Sequence, residues 1–131
     1  ISGKSLEGEF DSRCPICATK ENTIDVIRKK MEADGISFNT EEMKPPHHVP
    51  ADSDFVKTLL SAYEKYSGRK GECIAIGGGT YAKAMENIIA FGPVFPGEES
   101  REHQADEYIA LDNIERLRRI YAQAFQNLLA L

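Results

Sequence analysis

Three prolines within seven residues, in the stretch KPPHHVP at 44–50, constrain this chain more than any other feature. Each proline fixes φ and removes a backbone donor, so the stretch can form neither a helix nor a central strand. It reads as a linker, dividing the 131 residues into 1–44, a connection at 45–51, and 52–131. That length suits one compact domain, or parts of two. The chain opens at Ile1 with neither an initiator Met nor a signal-peptide pattern, so a piece of something longer is expected.

Periodicity on each side of the linker predicts an α/β chain. Leu6, Gly8, Phe10 and Ser12 alternate with Glu7, Glu9, Asp11 and Arg13, the period of a half-buried strand that Pro15 ends. Asn22 and Asp25 form a cap-like pair ahead of Ile24, Ile27 and Met31, spaced for one helical face, and Gly35 is a natural stop. Ile36, Phe38 and Thr40 alternate again, so 5–43 reads as strand–helix–strand. After the linker, Asp52 or Ser53 can cap a helix carrying Phe55, Leu59, Leu60 and Tyr63, closed by Gly68. The apolar run Cys73-Ile74-Ala75-Ile76 predicts a strand buried on both faces. A glycine turn, a short helix over 81–86, an apolar strand over 87–91 and a polar loop over 92–107 follow. From Asp112 a long helix is predicted, with Ile114, Leu117, Tyr121, Phe125 and Leu128 on its apolar stripe.

Charge and composition narrow the function classes. Sixteen Lys and Arg against 21 Asp and Glu leave a net charge of −5, which argues against nucleic acid as a partner. No apolar run approaches the roughly 18 residues that would span a bilayer, so no membrane partner is expected. Three cysteines make no even disulfide framework and point to a reducing, cytoplasmic setting.

Four features carry candidate chemistry. Gly77-Gly78-Gly79-Thr80, placed at a strand-to-helix turn, lets backbone N–H groups approach an anion without a Cβ in the way, although a tight structural turn would use the same residues. It has neither the Gly-Lys-Ser/Thr ending of a P-loop nor the dinucleotide fingerprint. Cys14-Pro15-Ile16-Cys17 is a C-x-x-C, but it follows a predicted strand rather than opening a helix, and no second such pair exists; it reads as two structural cysteines. His47 and His48 read as exposed linker residues, whereas His103 lies in a loop between a predicted strand and the last helix. Arg13 stands beside Asp11, where a surface ion pair is the plain reading.

Three ordered motifs then resemble a known family: Gly77-Gly78-Gly79-Thr80-Tyr81-Ala82-Lys83, Phe91-Gly92-Pro93-Val94-Phe95-Pro96-Gly97, and His103-Gln104-Ala105-Asp106-Glu107-Tyr108. Together with Asp11-Ser12-Arg13-Cys14-Pro15 they resemble the C-terminal part of a dinuclear zinc metallopeptidase, in the Xaa-His dipeptidase (carnosinase-like) branch of the aminoacylase/carboxypeptidase family. The resemblance implies that 1–44 ends a ferredoxin-like lid domain (βαβ) and that 52–131 is the C-terminal part of an α/β catalytic domain. It implies that His103 is a zinc ligand, that Arg13 binds the substrate carboxylate or the tetrahedral intermediate, and that Gly77, Gly78, Gly79 and Thr80 line the pocket for a small dipeptide. The complete enzyme would hold two zinc ions per active site. The remaining ligands and the general-base Glu would lie outside this chain, which would be inactive alone. The alternative is a non-catalytic α/β module used for oligomerisation or ligand binding.

Overall fold

The computed structural model describes residues 3, 5–40 and 42–131; Ile1, Ser2, Lys4 and Glu41, which fall within the expected lid segment, lie outside the described residues. Two compact units are present, Ile1–His48 and Val49–Leu131, and the division falls inside the proline-rich stretch.

In the first unit a π-helical turn, Lys20–Ile24, runs into α1, Asp25–Ala33. The cap differs from the expected Asn22/Asp25 pair. Thr19 Oγ1 accepts the Asn22 N–H at 3.2 Å while Asn22 Oδ1 accepts the Thr19 N–H at 2.8 Å, so two otherwise unpaired helix-start donors are satisfied reciprocally. The helix stops at Gly35, whose φ of 74° only glycine adopts freely. There the N–H groups of Gly35 and Ile36 bond back to Glu32 and Met31, closing the end in a Schellman motif. Arg28 donates to the Phe38 carbonyl at 3.0 Å and lies over its ring, and Phe38 stacks with Phe10.

The second unit is a pair of packed helices with a loop laid against them. Helix α2, Asp54–Ser67, starts at Ser53, whose Oγ accepts the Val56 N–H, and ends at Gly68 with φ 67°. Helix α3, Leu111–Leu128, packs on it. Ala62 and Ala124, both buried, meet with Leu59 in the interface, and Phe55, Ile89, Phe91 and Leu128 close around them. A second cluster joins Phe95, Leu117 and Ile120, flanked by Tyr63, Phe91 and Tyr121. On the solvent side of α3, Glu115 bonds Arg118 and Arg119, and those hydrogen bonds, Arg118 first, draw its carboxyl down to about 2.

Two expectations are corrected. The α/β architecture is not realised among the described residues: the segments 5–14, 36–40, 73–76 and 87–91 form no strand, so neither the βαβ lid nor a sheet in 52–131 is present. A helix closes its backbone hydrogen bonds within its own segment, whereas a strand needs a neighbour to accept and donate. Here no described segment supplies that neighbour, and Ile74, expected in a doubly buried strand, is 85% exposed. The predicted helix at 81–86 shortens to a single 3₁₀ turn, Tyr81–Ala84, capped by Thr80.

The apolar stripe of α3 is also rotated from the predicted one. Leu117 is buried and Tyr121 and Leu128 are half-buried, but Ile114 and Phe125 face solvent, and Asn113, Ile120 and Ala124 turn inward instead. Alanine at 124 lets the backbones approach at Ala62, which the Phe125 ring would prevent. Ile120 is 1% exposed and Phe125 is 67% exposed. Denaturant unfolding of the 131-residue chain should therefore show Ile120→Ala losing about 2–5 kcal/mol, and Phe125→Ala changing stability by no more than about 0.5 kcal/mol. Equal losses would restore the predicted stripe.

Candidate functional site

The residues singled out from sequence fall in three places. Arg13 lies in the first unit, exposed, and its guanidinium pairs with Asp11 at 2.9 Å, the surface ion pair of the plain reading. Cys14 is half-buried with its sulfur 3.6 Å from Ser12 Oγ, and Cys17 is exposed; with Cys73 they are free thiols.

The glycine run leads into a 3₁₀ turn rather than joining a strand to a helix. A Cβ added at Gly77 or Gly78 would meet nothing within 4 Å, and neither residue has a positive φ. Among the described residues, then, neither packing nor backbone conformation requires glycine at these two positions. At Gly79 a Cβ would stand 2.7 Å from the Lys83 ammonium, which folds back over the loop. Lys83 was not singled out from sequence; its three-residue spacing from Thr80, the turn's cap, is the signal that places it there. Thr80 Oγ1 accepts the Ala82 N–H at 3.1 Å and sets the end of the loop.

His103 occupies a loop that is bonded chiefly to itself. Glu99 holds Arg101, Ser100 holds Glu102, and Gln104 donates to the Ser100 carbonyl. Arg101 also lies over the Tyr108 ring. The Ser100 hydroxyl, then the Glu102 backbone N–H, lowers the Glu102 carboxyl below its ordinary value, with His103 contributing least. His103 is exposed, its N–H reaches Glu107 Oε2 at 3.3 Å, and its φ is 63°; Asp106 also has a positive φ, 60°. Left-handed backbone at a residue with a Cβ is disfavoured and concentrates where side-chain placement matters.

No hydrogen bond or ion pair joins the glycine run to His103 among the described residues. Two grooves lie apart from these residues, one of about 250 Å³ between Tyr66 and Arg116 and another of about 440 Å³ beside Arg28 and Phe38. An imidazole suits zinc, yet no group of three or more His, Cys, Asp or Glu side chains able to hold a metal comes together among the described residues. A zinc centre needs at least three protein ligands, so these residues by themselves do not form one.

The sequence matches peptidase family M20/M25/M40 over residues 4–127. The chain belongs to this family. It is 42% identical over 128 residues to the "Putative dipeptidase YtjP" of Bacillus subtilis, a match that covers 96% of this chain and 27% of that protein. A "Putative dipeptidase" of Staphylococcus epidermidis is 36% identical over 104 residues, 79% of this chain and 22% of the relative. One from Staphylococcus haemolyticus is 33% identical over 108 residues, 82% and 23% of the two chains. The chain thus spans about a quarter of the length of the relatives it matches. No solved structure matches it. No helix among the described residues is long and apolar enough to cross a membrane.

The left-handed backbone at His103 can be tested apart from chemistry. His103→Gly should leave the melting temperature of the chain unchanged or raised, whereas β-branched His103→Val should cost about 1–2 kcal/mol. Equal melting temperatures for all three would show that the loop relaxes and that φ at 103 carries no strain.

Proposed function

We propose that this chain is the C-terminal portion of a zinc-dependent dipeptidase, and that it lends one metal ligand and several substrate contacts to a site completed by the rest of its parent. The observation that carries the reading is the match to dipeptidase-named relatives along 96% of this chain but only 27% of the first of them. A hydrolase divided in this proportion is inactive as the piece alone and binds zinc weakly through it.

Zinc, two ions per site when bound, supplies a polarised peptide carbonyl and an activated water. The chain's own residues bind and orient. His103 offers an imidazole on an exposed loop. Arg13 offers a guanidinium fork that matches a carboxylate bidentately, and its present partner, Asp11, is an exposed group that a substrate carboxylate can replace. Gly77 and Gly78 have open space where a Cβ would stand, so a ligand oxygen can approach their backbone, and Gly79 and Thr80 complete that turn. The substrate is a small dipeptide, and the motifs at 77–83, 91–97 and 103–108 favour the Xaa-His dipeptidase branch. Three free cysteines fit a cytoplasmic setting.

In the full-length parent, His103→Ala should lower bound zinc and abolish turnover, while the same change at His47 or His48 should do neither. Metal analysis finding full zinc occupancy in the His103 variant would refute the ligand assignment. Arg13→Ala should lower kcat/KM by at least about tenfold at an unchanged melting temperature, and Arg13→Lys should not recover it, because an ammonium cannot form the fork. A large loss of melting temperature with normal turnover would make Arg13 structural.

A further inference from the structure

One carboxylate stands where the helical core gives way to the loop carrying His103. Glu98 Oε2 accepts the Phe95 N–H at 3.1 Å, while the Glu98 N–H returns to the Phe95 carbonyl at 3.1 Å, so the two residues close a reciprocal turn. Glu98 Oε1 accepts the side-chain amide of Asn113, in the first turn of α3, at 2.7 Å. Asn113 is the polar residue buried among the described core.

The segment before Glu98 is fastened on every side. Phe95 is buried against Leu117 and Ile120, and Arg116 lies over its ring at 4.7 Å. Arg69, just past the end of α2, donates to the Pro96 carbonyl, and the Tyr121 hydroxyl donates to the Phe91 carbonyl at 2.7 Å. Gly97, with φ 88°, turns the chain between Pro96 and Glu98. After Glu98, the bonds over 99–107 among the described residues stay within the loop. Glu98 is therefore the last point fixed to the core before His103. A buried amide adds no packing that an apolar side chain would not match, but it holds its partner in one direction and at one distance. The hydrogen bonds from Asn113 and then from the Phe95 N–H also lower the Glu98 carboxyl below its usual range, so it stays ionised at neutral pH.

We propose that Glu98, gripped by Asn113, is a positioning residue: it sets the direction in which the 99–107 loop leaves the core and so places His103 in the complete peptidase. This rests on the reading of His103 as a site residue. Misplacing a reacting group by about 1 Å can cost about 100-fold in rate.

The test exchanges the polarity of the pair in the full-length parent. Glu98→Gln turns an amide towards one of the two donors, and Asn113→Asp sets a second carboxylate against the first. The double variant, Glu98→Gln with Asn113→Asp, keeps the net charge and restores both bonds, the one between 98 and 113 in reverse, since the new amide donates to the new carboxylate while its oxygen accepts the Phe95 N–H. Each single variant should lower kcat by about 10- to 100-fold with KM changed less, and should speed amide hydrogen exchange over 99–107 in the metal-free protein. The double variant should recover most of both. Single variants with normal kcat and normal loop exchange, or a double variant no better than the singles, would overturn the proposal. His103→Ala, measured in parallel, separates the two readings. If it abolishes turnover while the Glu98 and Asn113 variants do not, the positioning role alone falls. If it keeps full turnover, the reading of His103 falls and the role of Glu98 falls with it.

Discussion

The close approach of α2 to α3 at Ala62 and Ala124 governs the second unit, because two alanines facing each other let large neighbours interdigitate around the contact. Leu59, Phe55 and Leu128 fill one side, and Leu117, Ile120 and Tyr63 line the other, where the ring of Phe95 enters. That ring anchors the loop from Phe91 onward, so the path of the loop follows from the helix pair. An acidic chain with 28% charged residues keeps its charges outside this contact. The exception is polar rather than charged: Asn113 is buried and spends its amide on Glu98.

Outside the helices, the backbone uses local devices. Capping by Thr19, Ser53 and Thr80 and left-handed stops at Gly35 and Gly68 satisfy helix ends with a few residues each. The loop around His103 works in the same way, with hydrogen bonds between residues two to four apart and two non-glycine residues in left-handed conformation. Such a loop holds a shape without contributing a core, which suits a segment that meets a ligand rather than a neighbour. The glycine run differs: its first two residues have open space around them and ordinary φ, so their lack of side chains serves nothing within the described residues.

The chain belongs to the M20/M25/M40 peptidases, and among the described residues no group of three or more metal-binding side chains comes together. Under the proposed reading, a chain matching 27% of a relative supplies a share of the metal ligands, with the His103 imidazole as its part. The unpaired apolar run at 73–76 follows the same logic, since its side chains suit burial and no described segment buries them.

The sequence by itself determined the features whose physics is local. The helix at 54–67, with a start narrowed to Asp52 or Ser53 and a stop at Gly68, the long C-terminal helix and the Gly35 terminator are written in residues a few positions apart. His103 and Arg13 were visible as residue types within motifs, and Asp11 as the partner of Arg13. Tertiary structure decided what depends on a partner. Whether an apolar run becomes a strand rests on a neighbour to pair with, so 73–76 and 87–91 remain outside any sheet. Which stripe of α3 turns inward rests on what α2 presents, so Ala124 and Ile120 displaced Phe125 and Ile114. The Glu98–Asn113 pair joins residues fifteen apart across a loop–helix contact, and no periodicity reports a hydrogen bond of that kind, because its donor and acceptor meet only after the helices have packed.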